Sequence, residues 1–388
     1  MLTCQRNGFQ IEEGVHFLNC AYLVPIPRRV EEAGIRGLIR KRSPVGFPTT
    51  AFYDDCERLR ERFATLVAGE ANRVAILPSV SYGIATAARN IDIRPTQNVV
   101  ILGEQFPSNV YIWRRLAAEI GCDLRTVARP GPASAGLEWN ARILAAIDAD
   151  TAVVAIAPTH WTDGTRFDLL SIGARAREVG AALILDASQS LGVVPFDVGA
   201  VRPDALICAG YKWLLGPYSL ALACFGPRFD DGVPLEETWI AREGSEDFQA
   251  LVDYVDEYRA GAVRYDVGER SNFIQVPMMI EALDMILEWQ PDQIHGYLTA
   301  LLGDLAEEVR GWGWAIEDEA WRAGHVLGLG LPEGWDLEAL DRRLGAARVY
   351  ASLRGQALRV SPHVYNDLDD VAALREVLLT FGRGRGTG

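Results

Sequence analysis

The chain has 388 residues, 38 Lys+Arg against 52 Asp+Glu, and a formal net charge of −14. Hydrophobic residues make up 49% and charged residues 23%, an ordinary globular balance that excludes wholesale disorder, a collagen and a coiled coil. The acidic surplus argues against general binding to nucleic acid or anionic membranes, and the length suggests two or three domains.

The first residues, MLTCQRNGFQIEEG, lack the basic and apolar regions of a signal peptide. A long amphipathic helix is expected over 49–69, followed by a strand-like VAIL at 74–77. The loop PSVS comes next, with a helix from about Tyr82. From about Asn98 to Gly226 short apolar runs alternate with amphipathic stretches. NVVILGEQF (98–106) reads as a buried strand and its following turn, and VYIWRRLAAEIG (110–121) as a helix stopped by Gly121. TAVVAIAPTH (151–160) predicts the next strand and LLSIGARAREVG (169–180) the next helix. AALILDAS (181–188), LICAG (206–210) and LALACFG (220–226) complete the strand series. Continuous apolar strands separated by helices predict an α/β fold with a mostly parallel sheet covered on both faces. In such sheets ligands bind outside the carboxyl ends of the strands.

Beyond Gly226 the pattern changes. The section 230–258 is acidic and rich in aromatics, and a helix is expected at 277–290. The last 90 or so residues alternate helix and strand, with HVLGLGL (325–331) and ALRVS (357–361) as candidate strands of a smaller α+β domain. The terminal GRGRGTG (382–388) is expected to fray. There is no internal repeat, and no apolar stretch approaches the roughly 18 residues of a membrane span. The six cysteines show no metal-type CxxC pair, and Cys208 and Cys224 sit in apolar runs. Buried inert thiols in a cytoplasmic protein are the expectation, with no metal site.

Only two of the 38 basic residues are lysines, Lys41 and Lys212. Arginine replaces lysine on a surface at little cost, but not where chemistry needs a neutral amine, because guanidinium does not give up its proton in a protein. Asp186 follows the run ALIL, at a strand's carboxyl end, in DASQSLG (186–192). Lys212 follows LICAG, in AGYKWLLGP (209–217), so acid and lysine fall at the same sheet edge. An ion pair alone would explain such a pair, but pyridoxal phosphate also requires it. The cofactor needs an amine for a Schiff base, a carboxylate beside its pyridine nitrogen, and backbone N–H groups for its phosphate. PSVSYGIATAARN (78–90) offers a helix start with Ser79, Val80 and Ser81.

The segment DASQSLG…AGYKWLLGP resembles the cofactor segment of the class V aminotransferase family of pyridoxal-phosphate enzymes, relatives of which include cysteine desulfurases, kynureninases and isopenicillin N epimerase. FLNCAYLVPIPRRV (17–30) resembles the family's opening segment. EQFPSNVYIWRRL (104–116) resembles its ring-stacking segment in a kynureninase-like form, and THWTDGTRFDL (159–169) the strand end over the cofactor. RYDVGERSNF (264–273) and ALRVSPHVYN (357–366) resemble small-domain segments, so the likeness spans nearly the whole chain in order.

The resemblance implies a fold-type-I architecture. It places a large cofactor-binding domain at 21–260, a smaller domain at 261–388, and an N-terminal segment, 1–20, near the smaller one. It makes Lys212 the Schiff-base lysine and proton shuttle, Asp186 the partner of the pyridinium nitrogen, and Gln189 a donor to the ring hydroxyl oxygen. Phe106 would stack on the ring where many relatives have histidine. Ser79 and Val80 would hold the phosphate, and Tyr211 and Trp161 would line the pocket. Ser271 or Asn272 would stand in for a Gly-Thr pair that reaches a partner subunit's phosphate, which implies a homodimer. Arg359 would clamp a substrate carboxylate, and His160 is a candidate substrate or supporting group. The implied substrate is a small amino acid or amine. Transamination is the first expectation, with a kynureninase-like side-chain lyase or hydrolase, an epimerase, and a non-catalytic sensor or scaffold as rivals. Desulfurases carry a nucleophilic cysteine in the last third of the chain. Here no cysteine follows Cys224, which argues against that chemistry.

Overall fold

A computed structural model describes residues 2–131, 135–331, 334–355 and 357–383. Most of the terminal run expected to fray, 384–388, lies outside them. In the first half, β1 (His16–Phe17), α1 (Arg28–Arg40) and α2 (Asp54–Leu66) precede β2 (Val74–Leu77) and α3 (Val80–Arg89). β3 (Asn98–Leu102), α4 (Tyr111–Ile120), β4 (Asp123–Val127), α5 (Gly136–Ala146), β5 (Thr151–Ile156) and α6 (Leu169–Val179) follow. Then come β6 (Ala182–Asp186), the short α7 (Val198–Val201), β7 (Ala205–Ala209) and β8 (Ala221–Phe225). The remainder holds α8 (Gln275–Trp289), α9 (Pro291–Gly311), β9 (Leu327–Gly330), α10 (Leu337–Ala346), β10 (Val349–Tyr350), β11 (Ser352–Arg354), β12 (Ala357–Val360) and α11 (Leu368–Arg383).

Seven strands form one sheet in the order β2-β8-β7-β6-β5-β3-β4. All neighbours run parallel except β8, which is antiparallel to both β2 and β7. Two reversals leave β2 parallel to the rest. The carboxyl ends of β2, β3, β5, β6 and β7 therefore share one edge with the start of β8.

Both faces of the sheet are buried, which is why its central strands read as unbroken apolar runs. Alternate residues point to opposite faces. Val99, Ile101, Val153, Ile184 and Ile207 pack with Ile84 of α3 and Trp113 of α4. Val100, Leu102, Val154, Leu185 and Leu206 pack on the other side with Phe63, Ile143 and Ile172. Helix signals fall where local chemistry places them. Asp168 caps α6 by accepting from the Ser171 amide at 3.1 Å, and Gly121 ends α4 at φ +82°, a conformation glycine adopts without a Cβ clash.

The long helix expected over 49–69 is instead a 3-10 turn, Thr49–Phe52, followed by α2. Tyr53 breaks from helical geometry at φ −120°, and the acidic Asp54, Asp55 and Glu57 open the helix proper. The helix expected from about Tyr82 begins at Val80, because the Ser79 hydroxyl accepts from the Tyr82 amide at 3.2 Å.

A three-stranded antiparallel sheet, β11-β12-β9, forms a second sheet in this part, where α11 packs on both α9 and α10. The N-terminal β1 pairs in parallel with β10 (His16 with Val349, Phe17 with Tyr350), joining the first residues to this region. Helix α8 packs instead on α1 and α2. A buried charge cluster ties 261–270 to the large sheet. The Asp266 carboxylate accepts from the Ile76 amide at 2.7 Å, from Arg270 at 2.7 Å, and from Arg60, all three ionic side chains being buried.

Candidate active site

Asp186 is the last residue of β6, and the chain turns immediately after it. Its Oδ1 accepts from the Ser188 amide at 3.1 Å and from the Ser188 hydroxyl at 2.6 Å. That hydroxyl oxygen in turn accepts from the Ala209 amide at 3.1 Å, at the end of β7. Ser188 thus locks the aspartate to the neighbouring strand and leaves Oδ2 without a hydrogen bond among the described residues. Burial pushes the Asp186 carboxyl above its ordinary value, against the Ser188 hydrogen bonds and the charge of Lys212.

Lys212 stands three residues beyond β7. The segment that carries it is held against the aspartate loop by Gly192, whose φ is +93° and where a Cβ would lie 2.4 Å from the Trp213 carbonyl oxygen. Leu215 and Ser219 hold left-handed backbone at φ 58° and 64°, a strained loop directly after the lysine. The Lys212 side chain is buried but makes no hydrogen bond or ion pair among the described residues. Its Nζ lies 5.0 Å from the Phe106 ring centre and 5.5 Å from that of Tyr211. Burial pushes its pKa below the ordinary lysine value, and Asp186 opposes this. A free, buried amine of lowered basicity is a reactive one.

Two cavities meet at this amine. The first, about 290 Å³, runs from Ser79, Val80 and Ser81 at the start of α3 to Asp186, with Phe106 and Tyr211 on its walls. The second, about 740 Å³, is lined by Tyr22, Trp161, Arg354 and Arg359 and shares Lys212, Phe106 and Gln189 with the first. Gln189 is fixed by both ends of its amide. Oε1 accepts from Trp213 Nε1 at 2.8 Å, and Nε2 donates to the Ala21 carbonyl at 3.1 Å, leaving its second N–H for a ligand. Phe106 meets Trp161 edge-on at 5.4 Å, and Trp161 Nε1 donates to the Glu104 carbonyl at 2.7 Å.

Arg359 lies on β12, fully buried. One N–H donates to the Trp161 carbonyl at 2.8 Å, while its Nε is buried without a partner among the described residues. Burial and the nearby Arg354 both disfavour its charge, yet a guanidinium remains protonated in a protein. His160 is buried beside the first cavity. Its Nδ1 bonds the Thr162 hydroxyl at 2.8 Å and its Nε2 has no partner among the described residues. Burial, reinforced by Arg129, pushes its pKa down to about 3, so the ring is neutral.

These residues, read from sequence, converge. Asn272 does not: it is exposed, and its Oδ1 accepts from the Ile274 and Gln275 amides at the start of α8. The Ser271 hydroxyl is engaged by the Phe52 carbonyl. Sequence reading missed Ser188, Gln105 and Arg354. Ser188 had a signal, its spacing two residues beyond Asp186. Gln105 precedes Phe106 and lines the first cavity with a buried Oε1 that has no donor among the described residues.

The donor set of the first cavity suits pyridoxal phosphate. A helix start with free amides faces one end, a carboxylate with a spare oxygen the other, and a reactive amine the mouth. Among the described residues no cluster of three or more His, Cys, Asp or Glu is placed to hold a metal, and no helix is long and apolar enough to cross a membrane.

Residues 42–231 match the family model described as aminotransferase class-V. Among curated proteins, the chain is 24% identical to the uncharacterized aminotransferase YcbU of Bacillus subtilis (strain 168), over 81% of this chain and 80% of that one. It is 30% identical to a kynureninase of Pseudomonas fluorescens over 59% of this chain, spanning 56% of that protein's length. It is 23% identical to the isopenicillin N epimerase of Streptomyces clavuligerus over 82% of each chain. Among solved structures, the apo cysteine desulfurase of Thermococcus onnurineus NA1 superposes with a TM-score of 0.85 at 18% identity, covering 99% of each chain. A lysine mutant of C-DES with glycine covalently linked to its PLP cofactor gives a TM-score of 0.80 at 16% identity, over 98% of this chain and 99% of that one.

Proposed function

We propose that the chain, whose residues 42–231 match the aminotransferase class-V model, is a pyridoxal-phosphate-dependent enzyme of that family and acts on a small α-amino acid through Lys212, by transamination. The observation that carries this reading is the unpaired amine of Lys212 at the junction of the two cavities, with Asp186 in one and Arg359 in the other. When bound, pyridoxal phosphate supplies an aldehyde that takes up an amine and a protonated ring that accepts the electrons of a broken bond.

The chain's own groups divide the remaining work. Ser79 and the amides of Val80 and Ser81 hold the phosphate, where the positive end of α3 favours an anion. Asp186 would hold the proton of the ring nitrogen with Oδ2, while Ser188 keeps Oδ1 occupied and the carboxylate oriented. Gln189 would give its spare N–H to the ring hydroxyl oxygen. Phe106 would cover one ring face, with Tyr211 and Trp161 as walls against water. Arg359 holds the substrate carboxylate in a two-point fork, which fixes which bond at the α-carbon stands ready to break. Lys212 Nζ, when free, would take the α-proton of the substrate and return it. Neutral His160 keeps Nε2 available beside the same cavity.

A kynureninase-like cleavage of the substrate side chain is the second reading, favoured by the 30% identity to a kynureninase. An epimerase uses the same residues with a different proton return. A scaffold that merely keeps the fold would leave the reactive amine unused, and a cofactor-binding sensor would hold pyridoxal phosphate on Lys212 without turnover. Sulfur transfer is disfavoured: no cysteine lines either cavity, and burial pushes the thiols of Cys20 and Cys208 well above their ordinary values.

We also propose a homodimer with the sites near the subunit interface. Trp239, Phe248, Val252 and Tyr254 are exposed on one aromatic, acidic section, and exposed Asn272, its Oδ1 engaged, keeps its Nδ2 for a partner copy. The six free cysteines suit a reducing, cytoplasmic compartment. The chain divides into two parts at 260/261, with α8 as the part of the second unit that packs on the first. The test is a spectral screen of the purified, cofactor-loaded protein against amino acids, with products identified by mass. A keto acid product supports transamination. A cleaved side chain supports the second reading, and a yellow protein that turns over nothing overturns both.

A further inference from the structure

Arg354 and Arg359 sit on one hairpin. In the antiparallel pair β11–β12, Ser352 lies opposite Arg359 and Arg354 opposite Ala357. Cross-strand partners share a face, and so do residues two apart on one strand. Arg354 and Arg359 therefore project from the same face as diagonal neighbours, a relationship that typically sets Cβ atoms about 7–8 Å apart or somewhat less. Both line the second cavity, together with Lys212.

Among the described residues nothing acidic answers the two guanidiniums. No Asp or Glu lines that cavity, and neither arginine forms an ion pair among the described residues. Each gives a single N–H to a backbone carbonyl, Arg354 to Leu353 and Arg359 to Trp161, both at 2.8 Å. By contrast, buried Arg60 is matched by Asp266 and half-buried Arg62 by Asp284. The Arg354 guanidinium lies 5.8 Å from the Trp161 ring, which steadies it at the cavity wall. One substrate carboxylate satisfies Arg359 and leaves Arg354 unmatched.

We propose that the substrate is an acidic α-amino acid, its side-chain acid group held by Arg354 while Arg359 holds the α-carboxylate. This rests on the amino-acid reading above and narrows it to a substrate class. Two forks on one hairpin face, several ångströms apart, match two acid groups separated by a short carbon chain rather than one carboxylate shared between them. The site would discriminate an acid from its amide, because the amide leaves the second guanidinium without a counter-charge.

The test uses the cofactor-loaded protein and follows the cofactor's absorption as L-aspartate, L-glutamate, L-asparagine, L-glutamine and L-alanine are titrated in. An acid is expected to bind about tenfold or more tighter than its amide, a moderate figure because Arg354 is partly exposed. In Arg354→Gln the acid-to-amide ratio is expected to fall to about one, with the cofactor's own absorption intact. Amides binding as well as acids in the natural protein would overturn the proposal alone, as would a ratio that survives in Arg354→Gln. A spectrum that none of the five perturbs would overturn the amino-acid reading itself.

Discussion

Lys212 Nζ stands 5.0 Å from the centre of the Phe106 ring, buried, with no carboxylate in ion-pair reach among the described residues. An aromatic face steadies a cation only weakly, so the fold leaves this amine desolvated and available. The arrangement has meaning only if something enters the space between amine and ring, and the flanking groups name the chemistry of what enters.

Asp186→Asn should retain the fold and lose turnover by about two to three orders of magnitude, the scale of removing one preorganised electrostatic contact. Ser188 still donates to the amide oxygen, so geometry survives while the charge facing the ring nitrogen does not. Steady-state kinetics beside circular dichroism checks this. Near-normal turnover would assign Asp186 to structure alone.

Arg359→Ala should weaken amino-acid binding by about two to four orders of magnitude, at about 1.4 kcal/mol per tenfold. Arg359→Lys should rescue only part, since an ammonium cannot make the fork. Cofactor absorption should be unchanged in both. Equal substrate affinity in the alanine variant would mean a structural arginine or a substrate without a carboxylate.

His160, His325 and His363 are buried, and burial pushes each from 6.5 down to about 3. A lowered folded-state pKa contributes stability that is present above the unfolded value and lost as pH falls toward the folded one. Folding stability should therefore decline from about pH 6.5 downward, by about 1.4 kcal/mol per pH unit for each ring. Denaturant titrations between pH 7 and 4 read this slope. A flat profile would show that these rings protonate in the native state.

The central strands were legible because burial on both faces makes them uninterrupted apolar runs. VAIL at 74–77 is β2 to the residue. The edge strand β4 was not legible. Its sequence, DLRTV, is polar with only Val127 buried, and only pairing with β3 makes it a strand. The site divides in the same way. Asp186 and Lys212 were readable because a rare lysine and an acid each follow an apolar run. Arg354 was not, since an arginine-rich chain hides any one arginine, and only the hairpin register puts it beside Arg359. Asn272 was placed by resemblance alone, and within one chain its Oδ1 accepts from the Ile274 and Gln275 amides at the start of α8 rather than lining a cavity.

The chain has only two lysines, so one labelling measurement decides the central claim. The protein is incubated with pyridoxal phosphate, treated with borohydride to fix the cofactor on whichever amine holds its aldehyde, digested, and mapped by mass spectrometry. The Lys212 peptide should carry the cofactor's mass at near-stoichiometric yield, and Lys41, in its exposed segment, should carry little. Label on Lys41 or the amino terminus, with Lys212 unmodified, would contradict the account.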